Sequence, residues 1–224
     1  MPTMPRRPCS ARDPWREELA NALTHGLGVV LSVVALVLLL AAAGLQPSGG
    51  RVAALLVYGL TLVLLYLAST LYHAARDDRR KRFLQLCDHV AIFLLIAGTF
   101  TPYTLISLGD AGGWTLFAAI WAAAGAGIAF KVVCRDRYGT LSLALYVGMG
   151  WLGGLALWPL LDRLQGEGLA LLILGGAAYT SGIAFFLWEK LPYGHAIWHL
   201  FVMAGSAAHF LSIYLYVAAS PGTG

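Results

Sequence analysis

Apolar residues fill this chain in long runs, and polar residues gather in the short intervals between them. A helix that crosses a bilayer needs roughly 20 predominantly apolar residues. Runs of that length fall at about 22–45, 52–75, 84–108, 113–133, 139–160, 168–188 and 195–218. Gln46-Pro47-Ser48-Gly49-Gly50 breaks the first run, the charged block from Arg76 to Arg82 closes the second, and Gly109-Asp110 follows the third. The chain gives no alternating strand signal, so a transmembrane barrel is excluded. Ahead of the first run, Asp13-Pro14 reads as a helix start, with Asp as the cap and Pro in the first turn. Trp15, Leu19 and Leu23 then recur every four residues, as in a short amphipathic helix lying at the membrane surface. The expected fold is an all-α membrane protein. It comprises a seven-helix transmembrane bundle over residues 21–224, preceded by an arm of residues 1–20 that carries the interfacial helix.

Composition agrees. Of 224 residues, 59% are hydrophobic and 12% charged, against about 25% charged in a soluble domain. The net charge of +4 would suggest a nucleic-acid partner in a soluble protein. Here the charge sits in short loops and reports orientation instead. Arg6, Arg7, Arg12 and Arg16 precede the first span, and Arg76, Arg79, Arg80, Lys81 and Arg82 separate the second from the third. Lys131, Arg135 and Arg137 cluster where the fourth ends, and Lys190 follows the sixth, leaving only Arg51 and Arg163 for the other face. The positive-inside rule places the N-terminus in the cytoplasm and, after seven spans, the C-terminus outside. A multi-pass protein of the cell membrane is expected, with lipids as its partners and no nucleic acid. Cys9, Cys87 and Cys134 form no CxxC pair and all fall at the cytoplasmic face, so no disulfide framework is expected. Residues 1–20 lack the apolar core of a cleavable signal peptide.

Ionisable groups inside spans are rare and mark function. His25, His73, Asp88, His89, His195 and His199 all fall at span ends that this topology puts on the cytoplasmic side. His195 and His199 are four apart, so both imidazoles project from one helix face and can share a metal. Ser69 and His73 have the same spacing. Three neutral histidines form a familiar catalytic zinc set with one position left for water. The expectation is a Zn2+ site of His73, His195 and His199, with Asp88 and Ser69 on the water. A HxxxH pair alone is a weak metal signal, and Ala196 stands where a soluble metalloprotease HExxH motif has Glu. His25 is expected to snorkel to headgroups, and His89 to serve packing or hydrogen bonding. His209, roughly 15 Å deeper than His199, is expected to make a structural hydrogen bond. Gly148, Gly150, Gly153 and Gly154 suggest close packing of the fifth helix. Pro102 should kink the third helix and free a carbonyl. Trp114, Tyr138, Trp158 and Trp188 fit interfacial belts.

The run Glu17-Glu18-Leu19-Ala20-Asn21-Ala22-Leu23-Thr24-His25-Gly26, then Ser69-Thr70-Leu71-Tyr72-His73, Asp88-His89, Ala97-Gly98-Thr99-Phe100-Thr101-Pro102-Tyr103, and His195-Ala196-Ile197-Trp198-His199, resembles the bacterial hemolysin III proteins. These are similar to the progestin and adiponectin receptors. The resemblance covers almost the whole chain from about residue 15. It implies seven helices, a cytoplasmic N-terminus, and zinc held by His73, His195 and His199. It further implies that Asp88 reaches zinc through water and that Ser69 precedes the first ligand by one turn. The family also looks related to membrane ceramidases, which implies hydrolysis of a lipid amide. Three functions follow as expectations. The first is a zinc-dependent hydrolase of lipid amides or esters, with Asp88 as general base. The second is a non-enzymatic sensor or regulator of membrane state held together by structural zinc. The third is the cytolysin that the family name implies, ranked last because the outer halves of the spans are nearly all apolar. No Lys or Arg sits obviously at the site to hold an oxyanion.

Overall fold

The computed structural model describes residues 14–45, 48–109, 111–134 and 139–218, with the side chains at 111 and 154–157 outside the description. Asp13, Gln46-Pro47, Tyr138, Gly154 and Cys9 therefore lie outside the described residues or side chains. Seven helices run in order: α1 (Pro14–Leu45), α2 (Gly49–Ala74), α3 (Asp78–Pro102), α4 (Ala111–Cys134), α5 (Gly139–Leu160), α6 (Gly166–Leu187) and α7 (Gly194–Ile213). α3 widens into a π turn at Tyr103–Leu108, and α7 into another at Tyr214–Ala218. All seven are long and apolar enough to cross a membrane.

α1 is one unbroken helix of 32 residues, so the amphipathic segment and the first span are a single element. At 1.5 Å per residue it is roughly 48 Å long, well beyond a bilayer's hydrocarbon core of about 30 Å. Trp15, Leu19 and Leu23 are exposed, as their spacing predicts, and Leu27, Val30, Leu31, Val34 and Val37 extend that face. Such a surface would be a liability in water. It is ordinary against lipid. α2 and α3 are the most enclosed helices and form the centre of the bundle.

The third helix begins earlier than its hydropathy suggests. Asp77 caps it by accepting from the Arg80 backbone N–H at 2.9 Å. The basic block is therefore partly helix: Arg79 to Arg82 form the first turns of α3, which project beyond the apolar segment. Pro102 has no N–H to give the carbonyl four residues back, and the π turn starts at the next residue. Among the described glycines of α5, only Gly153 is tightly packed, where a Cβ would collide with the Phe100 ring. Gly148 and Gly150 have open space beside them instead. Trp114, Trp158 and Trp188 are exposed at helix ends. Cys87 and Cys134 are free thiols.

At the end of the bundle opposite the basic block, Arg51 is only 6% exposed. Its Nη1 donates to the carbonyls of Val217 at 3.2 Å and Ala218 at 2.8 Å. These are carbonyls that a helix end leaves without intrahelical partners, and a cation there also complements the helix dipole. Arg51→Met is expected to destabilise the chain by about 2 kcal/mol. A fall in the melting temperature of the detergent-solubilised protein checks this, and an unchanged melting temperature would contradict it.

Candidate metal centre

α2 delivers His73 from its last turn, and α7 delivers His195 and His199 from its first two turns. One ring nitrogen from each of the three lies within 4.8 Å of the other two. The ring centroids are 4.9 Å apart for His73–His195, 5.1 Å for His73–His199 and 4.6 Å for His195–His199. His73 and His199 are buried, and His195 is half-buried.

α1 fixes how two of these rings face. The His73 Nδ1–H donates to Glu18 Oε2 at 2.7 Å. Glu18 Oε1 in turn accepts from Lys81 Nζ at 2.8 Å. The His199 Nδ1–H is shared between the Asn21 carbonyl at 3.2 Å and Thr24 Oγ1 at 3.1 Å. With the proton on Nδ1 in both rings, the Nε2 lone pairs are left to coordinate. Both Nε2 atoms are buried and have no hydrogen-bond partner among the described residues. A carboxylate or carbonyl holding the far nitrogen of each histidine is the usual support of a metal site. The donor set fits zinc, which accepts three neutral imidazoles at about 2.0–2.1 Å. On this basis Glu18→Gln is expected to weaken metal binding about 10–100-fold while leaving the fold intact. Titration with a competing chelator checks this, and an unchanged affinity would remove Glu18 from the account.

The clasp by α1 extends to the α6–α7 turn. Tyr193 takes a left-handed conformation, φ 56°, at the start of α7. This is unusual for a bulky residue. Its backbone N–H donates to Glu17 Oε1 at 3.3 Å. Adjacent acidic residues of α1 thus hold the approaches to both His73 and His195.

His25 departs from its expected place at the headgroups. It is 2% exposed and stacked on His199, with centroids 3.5 Å apart and planes at 11°. Tyr66 meets it edge-on at 5.0 Å. Imidazole lone pairs lie in the ring plane, so two parallel rings at this separation cannot converge on one ion. His25 is therefore beside the cluster and not a fourth member of it. Neither ring nitrogen has a hydrogen-bond partner among the described residues. The spacing of Glu18, Asn21 and His25 carries a readable signal: they share one stripe, roughly 120° round the helix from Trp15, Leu19 and Leu23.

Asp88 on α3 is 8% exposed and has the Ser69 hydroxyl within hydrogen-bonding reach. Lys131 is the surprise of the site. The charge pattern groups it with the loop cations after the fourth span, yet it is 3% exposed on the last turn of α4 and exerts a longer-range attraction on the Asp88 carboxylate. His89 lies outside the three-histidine cluster, and its carbonyl accepts from Tyr146 Oη at 3.2 Å. His209 makes the expected hydrogen bond, its Nε2 lying 3.0 Å from the Leu172 carbonyl.

Asp88 and His25 line the polar end of a cavity of about 190 Å³ enclosed by α2, α3, α5, α6 and α7. Its walls are mainly apolar, with Leu65, Ile92, Ile96, Ile183 and Val202 among them. The family model for haemolysin-III related proteins matches residues 14–210, from the start of α1 through His209. The chain belongs to the haemolysin-III family. It is 48% identical to a hemolysin-3 of Bacillus cereus over 202 residues, 90% of this chain and 92% of that protein. It is 44% identical to a hemolysin-3 homolog of Bacillus subtilis over 206 residues, 92% of this chain and 97% of that one. A more distant relative is the human monocyte to macrophage differentiation factor, 28% identical over 212 residues, 92% of this chain and 86% of that protein. This haemolysin-III family member is thus a multi-pass membrane protein whose three clustered histidines are close enough to hold a metal ion.

Proposed function

We propose that the chain is an intramembrane zinc-dependent hydrolase of lipid amide or ester bonds, with its basic end facing the cytoplasm. The observation that supports this most is the cavity, which brings Asp88 and His25 beside the histidine cluster and continues between apolar walls. His73, His195 and His199 would hold the metal, and zinc, when bound, supplies a Lewis acid for the carbonyl and acidifies water. Asp88 accepts the water's proton at its carboxylate. The Ser69 hydroxyl orients that carboxylate. His25 presents an N–H toward the oxygen or leaving group that gains negative charge. The apolar walls bind the hydrocarbon chain and exclude bulk water. Purified zinc-loaded protein, incubated with a panel of lipid amides and esters, is expected to release free fatty acid and to stop on chelation. No release from any of them would leave the second reading.

In that second reading the metal is a staple for a sensor or regulator. One observation favours it: α2 and α7 supply the histidines while α1 locks two of them through Glu18, Asn21 and Thr24. The cluster is thus a junction of three helices. A staple needs no cavity and no Asp88, and this weighs for chemistry.

A further inference from the structure

The far end of the same cavity carries a second polar point that hydrolysis does not use. His209 is 7% exposed and lines the cavity. It lies ten residues beyond His199, roughly 15 Å along α7. Its ring rests against α6 at Gly175, where any Cβ would collide with Cδ2 and Nε2. Nε2–H donates to the Leu172 carbonyl at 3.0 Å, so Nδ1 is left as a lone-pair acceptor. That atom is buried and has no hydrogen-bond partner among the described residues.

Tyr179 stands next to it, with ring centroids 5.4 Å apart, and also lines the cavity. Tyr66 Oη donates to Ser206 Oγ at 2.7 Å, and Ser206 Oγ is 2.6 Å from Tyr179 Oη. Either hydroxyl can be the donor in the Ser206–Tyr179 bond; the arrangement the proposal uses has Ser206, which accepts from Tyr66, donating its one proton to Tyr179. The Tyr179 O–H is then left to donate. A donor and an acceptor side by side match a hydroxyl, which needs both. A ketone would use only the tyrosine.

The cavity's length fixes where on a ligand that hydroxyl would be. Its lining on α3 runs from Asp88 to Phe100, twelve residues or roughly 18 Å. One extended chain can therefore reach from Asp88 and His25, beside the histidine cluster, to His209. We propose that His209 and Tyr179 recognise a hydroxyl carried partway along the hydrocarbon chain of a lipid whose polar end lies at the cluster. A sterol, with its hydroxyl at one end, does not place two polar groups this far apart. The proposal rests on the cavity admitting a lipid but not on the lipid being hydrolysed.

The test compares oleic acid with ricinoleic acid, which adds one hydroxyl near the middle of the same chain. Dissociation constants are measured by displacement of a fluorescent fatty acid from the purified, zinc-loaded chain. Wild type is expected to bind ricinoleic acid about tenfold tighter, the effect of one or two net hydrogen bonds. Tyr179→Phe, which removes only a hydroxyl, should abolish that preference and leave oleic acid binding unchanged. His209→Phe should do the same if it folds. Equal binding of the two acids by wild type overturns the proposal while leaving the lipid cavity standing, as does a preference that survives in Tyr179→Phe. Binding of neither acid overturns both.

Discussion

Asp88→Asn is expected to lower hydrolysis about 10²–10⁴-fold, the usual contribution of a positioned general base, with the bound metal retained. Asn keeps the size of the side chain and can still accept from the Ser69 hydroxyl. What it loses is the negative charge and the ability to take up a proton. The structure separates this residue from the three histidines: they converge on one point, while Asp88 lines the cavity beside it. A metal assay and an activity assay on the same preparation check the result together. Loss of metal along with activity would make Asp88 part of the metal's support, and undiminished activity would remove it from the mechanism.

His199→Ala is expected to be the most damaging of the three histidine substitutions. Its ring is fully buried, stacked on His25, and bonded through Nδ1 to α1. Removing it takes away one of the three ring nitrogens placed to hold a metal, a stacked ring pair and the tie between α1 and α7 together. His195 is half-buried and packs against Phe186 and Trp198, so His195→Ala should lose metal with less effect on the fold. Removing a core aromatic costs about 3–5 kcal/mol, and the His199→Ala penalty should approach that range. Thermal unfolding of metal-free protein separates the two effects. Equal melting temperatures for the two metal-free variants would show that the tie from His199 to α1 contributes little.

Much of this architecture is legible in the chain because a bilayer imposes a length. Every span read from hydropathy has its helix, and the seventh stays helical through Ala218, the last residue described. The third helix is the exception, because a cap at Asp77 and favourable charges carry it beyond the apolar run, where hydropathy gives no signal. The three histidines are legible because imidazoles are rare in lipid and two of them are a helical turn apart. Sequence depth alone does not give direction round the helix. His25 lies at headgroup depth but turns inward, and only its register with Glu18 and Asn21 says so. Lys131 is hidden more deeply, since its inward direction depends on how α4 packs on α3. Ser206, His209 and Ser212 form a polar stripe on α7 that the apolar average of the half far from the histidine cluster conceals. Tyr66 and Tyr179 bond to Ser206, and Tyr103 bonds to Ser212. This stripe is paired side chain to side chain at its serines, which makes it a packed interface and weighs against the cytolysin reading as a pore.

The metal content of the wild-type chain, purified in detergent without added chelator and measured by inductively coupled plasma mass spectrometry, tests the central claim most directly. The account predicts about one zinc per chain, as three converging neutral imidazoles with a fourth position for water imply. A folded preparation that holds no stoichiometric metal, and takes up none when zinc is supplied, would contradict it.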